Sequence, residues 1–140
     1  KNIKFNILGI ANESPKWNYE FYNELSKCKM ALNLSRGKPI KYSTSNRIAS
    51  LVANGIYTFI DRKTKFDDFF DDNEMGFYKD EKDLLNKIEN LKNDEKKIQK
   101  YSKKGMKKYF QLFNNKLVTK YIIDRTFNLK NDKEQIWEKF

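Results

Sequence analysis

The chain has 140 residues, 39% of them hydrophobic and 15% aromatic, with 29 Lys and Arg against 19 Asp and Glu for a formal net charge of +10. That length suits one domain with one core, spanning residues 1–140, and no apolar run approaches the ~20 residues of a membrane span or forms a signal peptide. A single Cys28 and the absence of His exclude an internal disulfide, His/Cys metal centres and every Ser-His or Cys-His nucleophile pair.

The positive charge admits a nucleic acid, a membrane surface or a phosphorylated ligand as partner. Nucleic acid is the least expected of the three. The cations are Lys apart from Arg36, Arg47, Arg62 and Arg125, which leaves few planar forks for bidentate contacts to bases or phosphates. Lys, Asn, Ile and Phe are also over-used together, as biased codon composition would produce.

In chain order, Ile3 to Ile10 alternates and then runs apolar, which predicts a strand, and residues 12–15 carry turn chemistry. Trp17 to Lys27 predicts a helix with Tyr19, Tyr22, Phe21 and Leu25 facing inward. Met30 to Leu34 is short and apolar enough for a buried strand. A loop of about ten residues follows, long for a connection between strand and helix, and long loops in compact domains are more often functional. It holds Arg36, Lys38 and Lys41 with the hydroxyls of Tyr42, Ser43, Thr44 and Ser45. Asn46 is placed to cap a short helix whose apolar side is Ile48, Leu51 and Val52, Gly55 ends it, and Ile56 to Ile60 predicts a second buried strand. Strand, polar loop, helix and strand make one βαβ unit with cations and hydroxyls at the helix N-terminus, where main-chain N–H groups favour an anion.

Beyond Asp61, residues Lys63 to Asp71 place Phe66, Phe69 and Phe70 at helical spacing beside the acids Asp67, Asp68, Asp71 and Asp72, read as a solvated face and not as a metal site. Met75 to Tyr78 predicts a short strand. Asp80 starts an amphipathic helix with Leu84, Leu85, Ile88 and Leu91 on one side, and Asp94 starts another through Ile98, Tyr101, Met106, Tyr109, Phe110 and Phe113. The second carries Lys96, Lys97, Lys100, Lys103, Lys104, Lys107 and Lys108, either a solvated face or a surface for a membrane or polyanion. Asn115 to Leu129 predicts a last helix with Leu117, Val118, Tyr121, Ile122 and Phe127, and Ile136, Trp137 and Phe140 a packed tail. The order β-α-β-α-β-α-β-α-α-α argues an α/β fold, a parallel sheet covered by helices.

The central segment resembles the C-terminal, donor-binding lobe of GT-B glycosyltransferases of the group 1 type. It is most similar to the CgeB-like spore-maturation branch, in which Arg-x-x-Glu-x-x-Ala-x-Gly precedes a buried strand. Arg47, Ala53 and Gly55 stand at the matching spacing, followed by the strand, an Asp72-Asn73-Glu74 step, Tyr78, the Asp83-Leu84-Leu85 helix and Lys104-Gly105. The likeness spans roughly residues 5 to 127. It implies a Rossmann-like sheet that holds a nucleotide-diphosphate sugar at the carboxyl ends of its strands, where open parallel sheets bind ligands. By that resemblance Arg47 and the Ser43–Asn46 turn would hold phosphate, without a metal or cofactor. Arg36, Lys38, Lys41 and Tyr42 join that set by charge and position.

The sequence departs from the pattern at Ser50, where the family commonly has the Glu that contacts the donor ribose, and at Tyr42, where a second Glu would fall. Serine can hydrogen-bond a hydroxyl, but without charge assistance. The resemblance also implies an N-terminal acceptor lobe, on other residues, supplying the general base, so transfer by this chain alone is not expected. Cytoplasmic placement follows, at the inner face of the membrane if the basic helix adsorbs there. Two further readings come from other classes: a Lys-rich nucleic-acid or polyanion-binding module, and a non-catalytic interaction domain on the same fold.

Overall fold

A computed structural model describes residues 4–7, 14–35, 37–43 and 45–129. Its elements are α1 (Asn18–Ser26), β1 (Met30–Asn33), α2 (Arg47–Val52), β2 (Tyr57–Asp61), β3 (Gly76–Tyr78), α3 (Glu81–Leu91), α4 (Glu95–Phe113) and α5 (Asn115–Thr126). The three strands form one parallel sheet in the order β1-β2-β3. Met30 pairs with Tyr57 and Asn33 with Ile60, while Phe59 pairs with Gly76 and Asp61 with Tyr78. This is the expected Rossmann-like α/β arrangement, with three strands among the described residues.

The β1–α2–β2 unit forms where the apolar runs and the glycine placed it. Gly55 has φ of +73°, and the amides of Gly55 and Ile56 close back onto the carbonyls of Val52 and Leu51. That pair of bonds is the left-handed stop that frees the chain to enter β2. Ile48 and Val52 then pack with Ile60 and Phe77 on one face of the sheet, and Leu51 packs with Leu25 and Ile56 beside β1. On the other face Tyr57, Phe59 and Tyr78 meet Leu91 of α3 and Ile98 of α4.

Several expectations change. Residues 4–7 form no strand and Phe5 is exposed; the remainder of the expected Ile3–Ile10 strand, and residues 12 and 13 of the turn, lie outside the described residues. In α1, Phe21 and Leu25 face inward while Tyr19 and Tyr22 are exposed. The helix offers two apolar stripes, and its contact with Ala31, Leu51 and Ile56 covers only one of them.

Arg62 to Phe70 is not one helix. It is a pair of 3-10 turns, Arg62–Thr64 and Phe66–Asp68, hinged at Lys65 with φ of +59°. Phe66, Phe69 and Phe70 are nonetheless buried, so the aromatic spacing served the core without a helix.

Further along, Leu85 and Phe110 point to solvent rather than inward. The expectation for α5 holds only in part: Leu117 and Tyr121 are half-buried, but Val118, Ile122 and Phe127 are exposed, and Asp124 is buried on the inward side. The tail at Ile136, Trp137 and Phe140 lies outside the described residues. Asp80, Asp94 and Asn114 cap α3, α4 and α5 by accepting from the amides of Asp83, Lys97 and Leu117. Among the described residues no helix is long and apolar enough to cross a membrane.

Candidate functional site

At the carboxyl end of β1 a polar residue ends the apolar run. Asn33 is only 3% exposed, and a buried amide needs partners. One comes from the loop before α2: the hydroxyl of Ser45 lies 3.4 Å from Asn33 Oδ1. Ser45 Oγ in turn accepts from Arg47 Nε at 3.1 Å, and Arg47 Nη2 donates to the Leu34 carbonyl at 2.8 Å. Strand end, loop and helix start are thereby tied into one cluster. A guanidinium has five N–H donors in a planar fork. Two of Arg47's are turned onto the protein, and its exposed remainder can meet an anion such as a phosphate.

The other candidate residues divide. Ser50 sits one turn after Arg47 on the same side of α2, half-buried, with its carbonyl accepting from Asn54 Nδ2 at 2.7 Å. Ser43 and Lys38 are exposed, and the Ser43 amide donates to the Ile40 carbonyl. Asn46 stands at the N-cap position of α2 with helical backbone angles, and the expected side-chain cap does not form. Its amide side chain is therefore not engaged in capping. Arg36 and Thr44 lie outside the described residues.

Tyr42 is placed apart from that cluster. Its backbone is left-handed at φ of +58°, its amide donates to the Thr64 carbonyl at 2.8 Å, and its hydroxyl donates to Asp68 Oδ2 at 2.6 Å. The ring meets Phe69 edge-to-face, and the Lys41 ammonium lies 4.6 Å from the ring centre. Desolvation, then the bond to Asp68, pushes the Tyr42 hydroxyl up to about 12. Tyr42 thus anchors the long loop to the segment after β2, and Lys41 is held over it.

Of the acids after β2, Asp67, Asp68 and Asp72 are engaged within the protein. Arg62 reaches Asp67 at 2.8 Å and Asp72 at 3.3 Å, with its guanidinium over the Phe77 ring. Among the described residues no three His, Cys, Asp or Glu groups gather as metal ligands. Asn33 was not among the sequence candidates; its signal was a lone amide inside an apolar strand.

A cluster of arginine, serine and amide at the carboxyl end of a parallel strand suits an anionic ligand. The model of the glycosyl transferase-like family matches residues 1–124. The chain belongs to that family. No curated protein and no solved structure matches it.

Proposed function

We propose that this glycosyltransferase domain is the donor-binding lobe of a GT-B enzyme of the CgeB-like branch, and that it holds a nucleotide-diphosphate sugar. The observation that carries the reading is Arg47. It is fixed through Ser45 and Leu34 at the carboxyl end of β1 and still presents an exposed face of its guanidinium. In this reading the diphosphate lies against Arg47 and its loop neighbours Ser43, Ser45 and Asn46, with Lys38 and Lys41 adding positive potential from the loop. In the same reading Ser50, one turn after Arg47 on α2, meets a hydroxyl of the donor.

In this reading the domain's own residues bind the donor and stabilise the leaving diphosphate with fixed N–H donors and cations, without a metal. The acceptor and its general base belong to a second lobe, so this chain by itself binds donor and does not transfer. The site faces the cytoplasm, where nucleotide sugars are at hand.

A thermal-shift screen against UDP, GDP, CDP and ADP sugars tests the reading, because stabilisation follows RT ln(1 + [L]/Kd) and registers weak binders. A rise in Tm with one nucleotide sugar, lost in Arg47→Ala, supports it. No shift at millimolar concentration would favour an interaction domain that keeps the fold without the ligand. Salt-dependent binding of a polyanion that survives Arg47→Ala would favour the nucleic-acid module instead.

A further inference from the structure

The last two helices carry a surface that donor binding does not use. Residues 95–126 hold ten cations against two acids, Glu95 and Asp124, and so most of the chain's net charge. On α4, Lys96, Lys100, Lys103 and Lys107 fall on one stripe by their i, i+4, i+7 and i+11 spacing, and Phe110 continues it, exposed, towards the corner at Asn114. Asn114 is a single extended residue between the helices, and its side chain caps α5.

On α5 the inward stripe of Leu117, Tyr121 and Asp124 leaves several aliphatic side chains outside. Asp124, its only acid, is 6% exposed and bound to Lys120 at 2.6 Å, whereas Ile122 is 57% exposed and Ile123 and Val118 also face solvent. The outward arc thus centres on aliphatic side chains and threonines. Lys116 and Lys120 flank it on one side and Arg125 on the other.

We propose that this α4–α5 corner docks on an anionic lipid bilayer. The exposed Ile122, Ile123 and Phe110 enter the boundary between headgroups and acyl chains, and the Lys ammonium groups hold lipid phosphates while their methylene stems lie along the apolar surface. Two observations select this occupant. The positive charge complements an acidic surface, and the exposed aliphatic side chains of α5 would gain nothing from a polyanion alone. Lys in place of Arg also suits point-charge attraction to many headgroups better than forked recognition of bases.

The test is co-sedimentation of the full chain with phosphatidylcholine vesicles, with and without phosphatidylglycerol. Binding is expected only with phosphatidylglycerol and is expected to weaken as salt is raised. An Ile122→Ser/Ile123→Ser variant should bind roughly tenfold more weakly, because the apolar contribution is lost. A Lys103→Gln/Lys107→Gln variant should lose a similar factor through charge alone. All four positions are exposed, so unchanged melting temperatures are expected to separate lost docking from lost folding. No binding to either vesicle, or binding that both variants retain, overturns the proposal. So does a concentration-dependent dimer that Ile122→Ser/Ile123→Ser dissolves while vesicles are ignored, since the arc would then be a protein interface.

Discussion

The guanidinium of Arg47 donates to the main-chain carbonyl of Leu34 at 2.8 Å, across 13 positions of sequence. The contact joins the start of α2 to the end of β1 and stations a fixed cation at the sheet's carboxyl edge. Removing it should act on two readouts. Arg47→Ala should lower stability by about 1 kcal/mol through the lost hydrogen bonds, measured by urea unfolding. It should also abolish the thermal shift produced by the nucleotide sugar that stabilises the parent chain. Arg47→Lys keeps the charge without the fork and should recover only part of the shift.

Ser50 offers a gain-of-function test of the same site. A carboxylate there could accept from a ribose hydroxyl as a charge-assisted bond, and such bonds are roughly twice as strong as neutral ones. Ser50→Glu is therefore expected to raise donor affinity by about tenfold in isothermal titration. Unchanged or weaker binding would mean that the ribose does not lie against this turn of α2.

Gly105 is expected to tolerate nothing larger. A Cβ at that position would stand 2.1 Å from the Glu74 carbonyl oxygen, a backbone atom that cannot rotate away. Gly105→Ala should destabilise by about 3 kcal/mol, seen as a lower urea midpoint, despite alanine's better helix propensity. Gly55→Ala has room, with Met106 Sδ at 3.6 Å, but requires a left-handed alanine at φ of +73°. Its cost should be nearer 1–2 kcal/mol.

Four tyrosines with raised pKa values tie the stability of the fold to alkaline pH. Tyr42 titrates at about 12 in the folded chain against an ordinary value of 10, so between those values the folded chain keeps a proton that the unfolded chain has released. The stabilisation is complete below about pH 10 and is lost as the pH rises through 12. Tyr57, raised by burial and then by Asp72, and Tyr78 and Tyr109, raised first by burial, shift in the same direction. Unfolding curves at stepped pH should show stability falling from about pH 10 upward, with a shallower fall in Tyr42→Phe.

How much of the site could be read in advance follows from how local each signal is. Met30 to Leu34, the hydroxyl-rich loop, Ile48-Leu51-Val52 and Gly55 specify a strand, a helix and a left-handed stop within about 25 residues, and each appears within a residue or two of its expected place. Tyr42 could not be placed that way. Its hydroxyl looks like its neighbours' in the sequence, and only the return of the chain at Thr64 and Asp68 draws it away from Arg47. Asn33 became part of the site through Ser45, 12 residues on.

The sequence by itself determined the parallel α/β class, the strand–loop–helix–strand unit and the exclusion of histidine and disulfide chemistry, because these depend on local periodicity, turn residues and composition. Tertiary structure decided which stripe of each helix is buried. Tyr19 and Tyr22 carry rings as large as that of Phe21, and Ile122 is far more apolar than Asp124, yet burial went to the side that met a neighbour. It also decided that a glycine in mid-helix is a point of contact between α4 and the Glu74 backbone. Periodicity offers candidate faces; the partner that covers one of them arrives from elsewhere in the chain, and only the assembled fold brings it there.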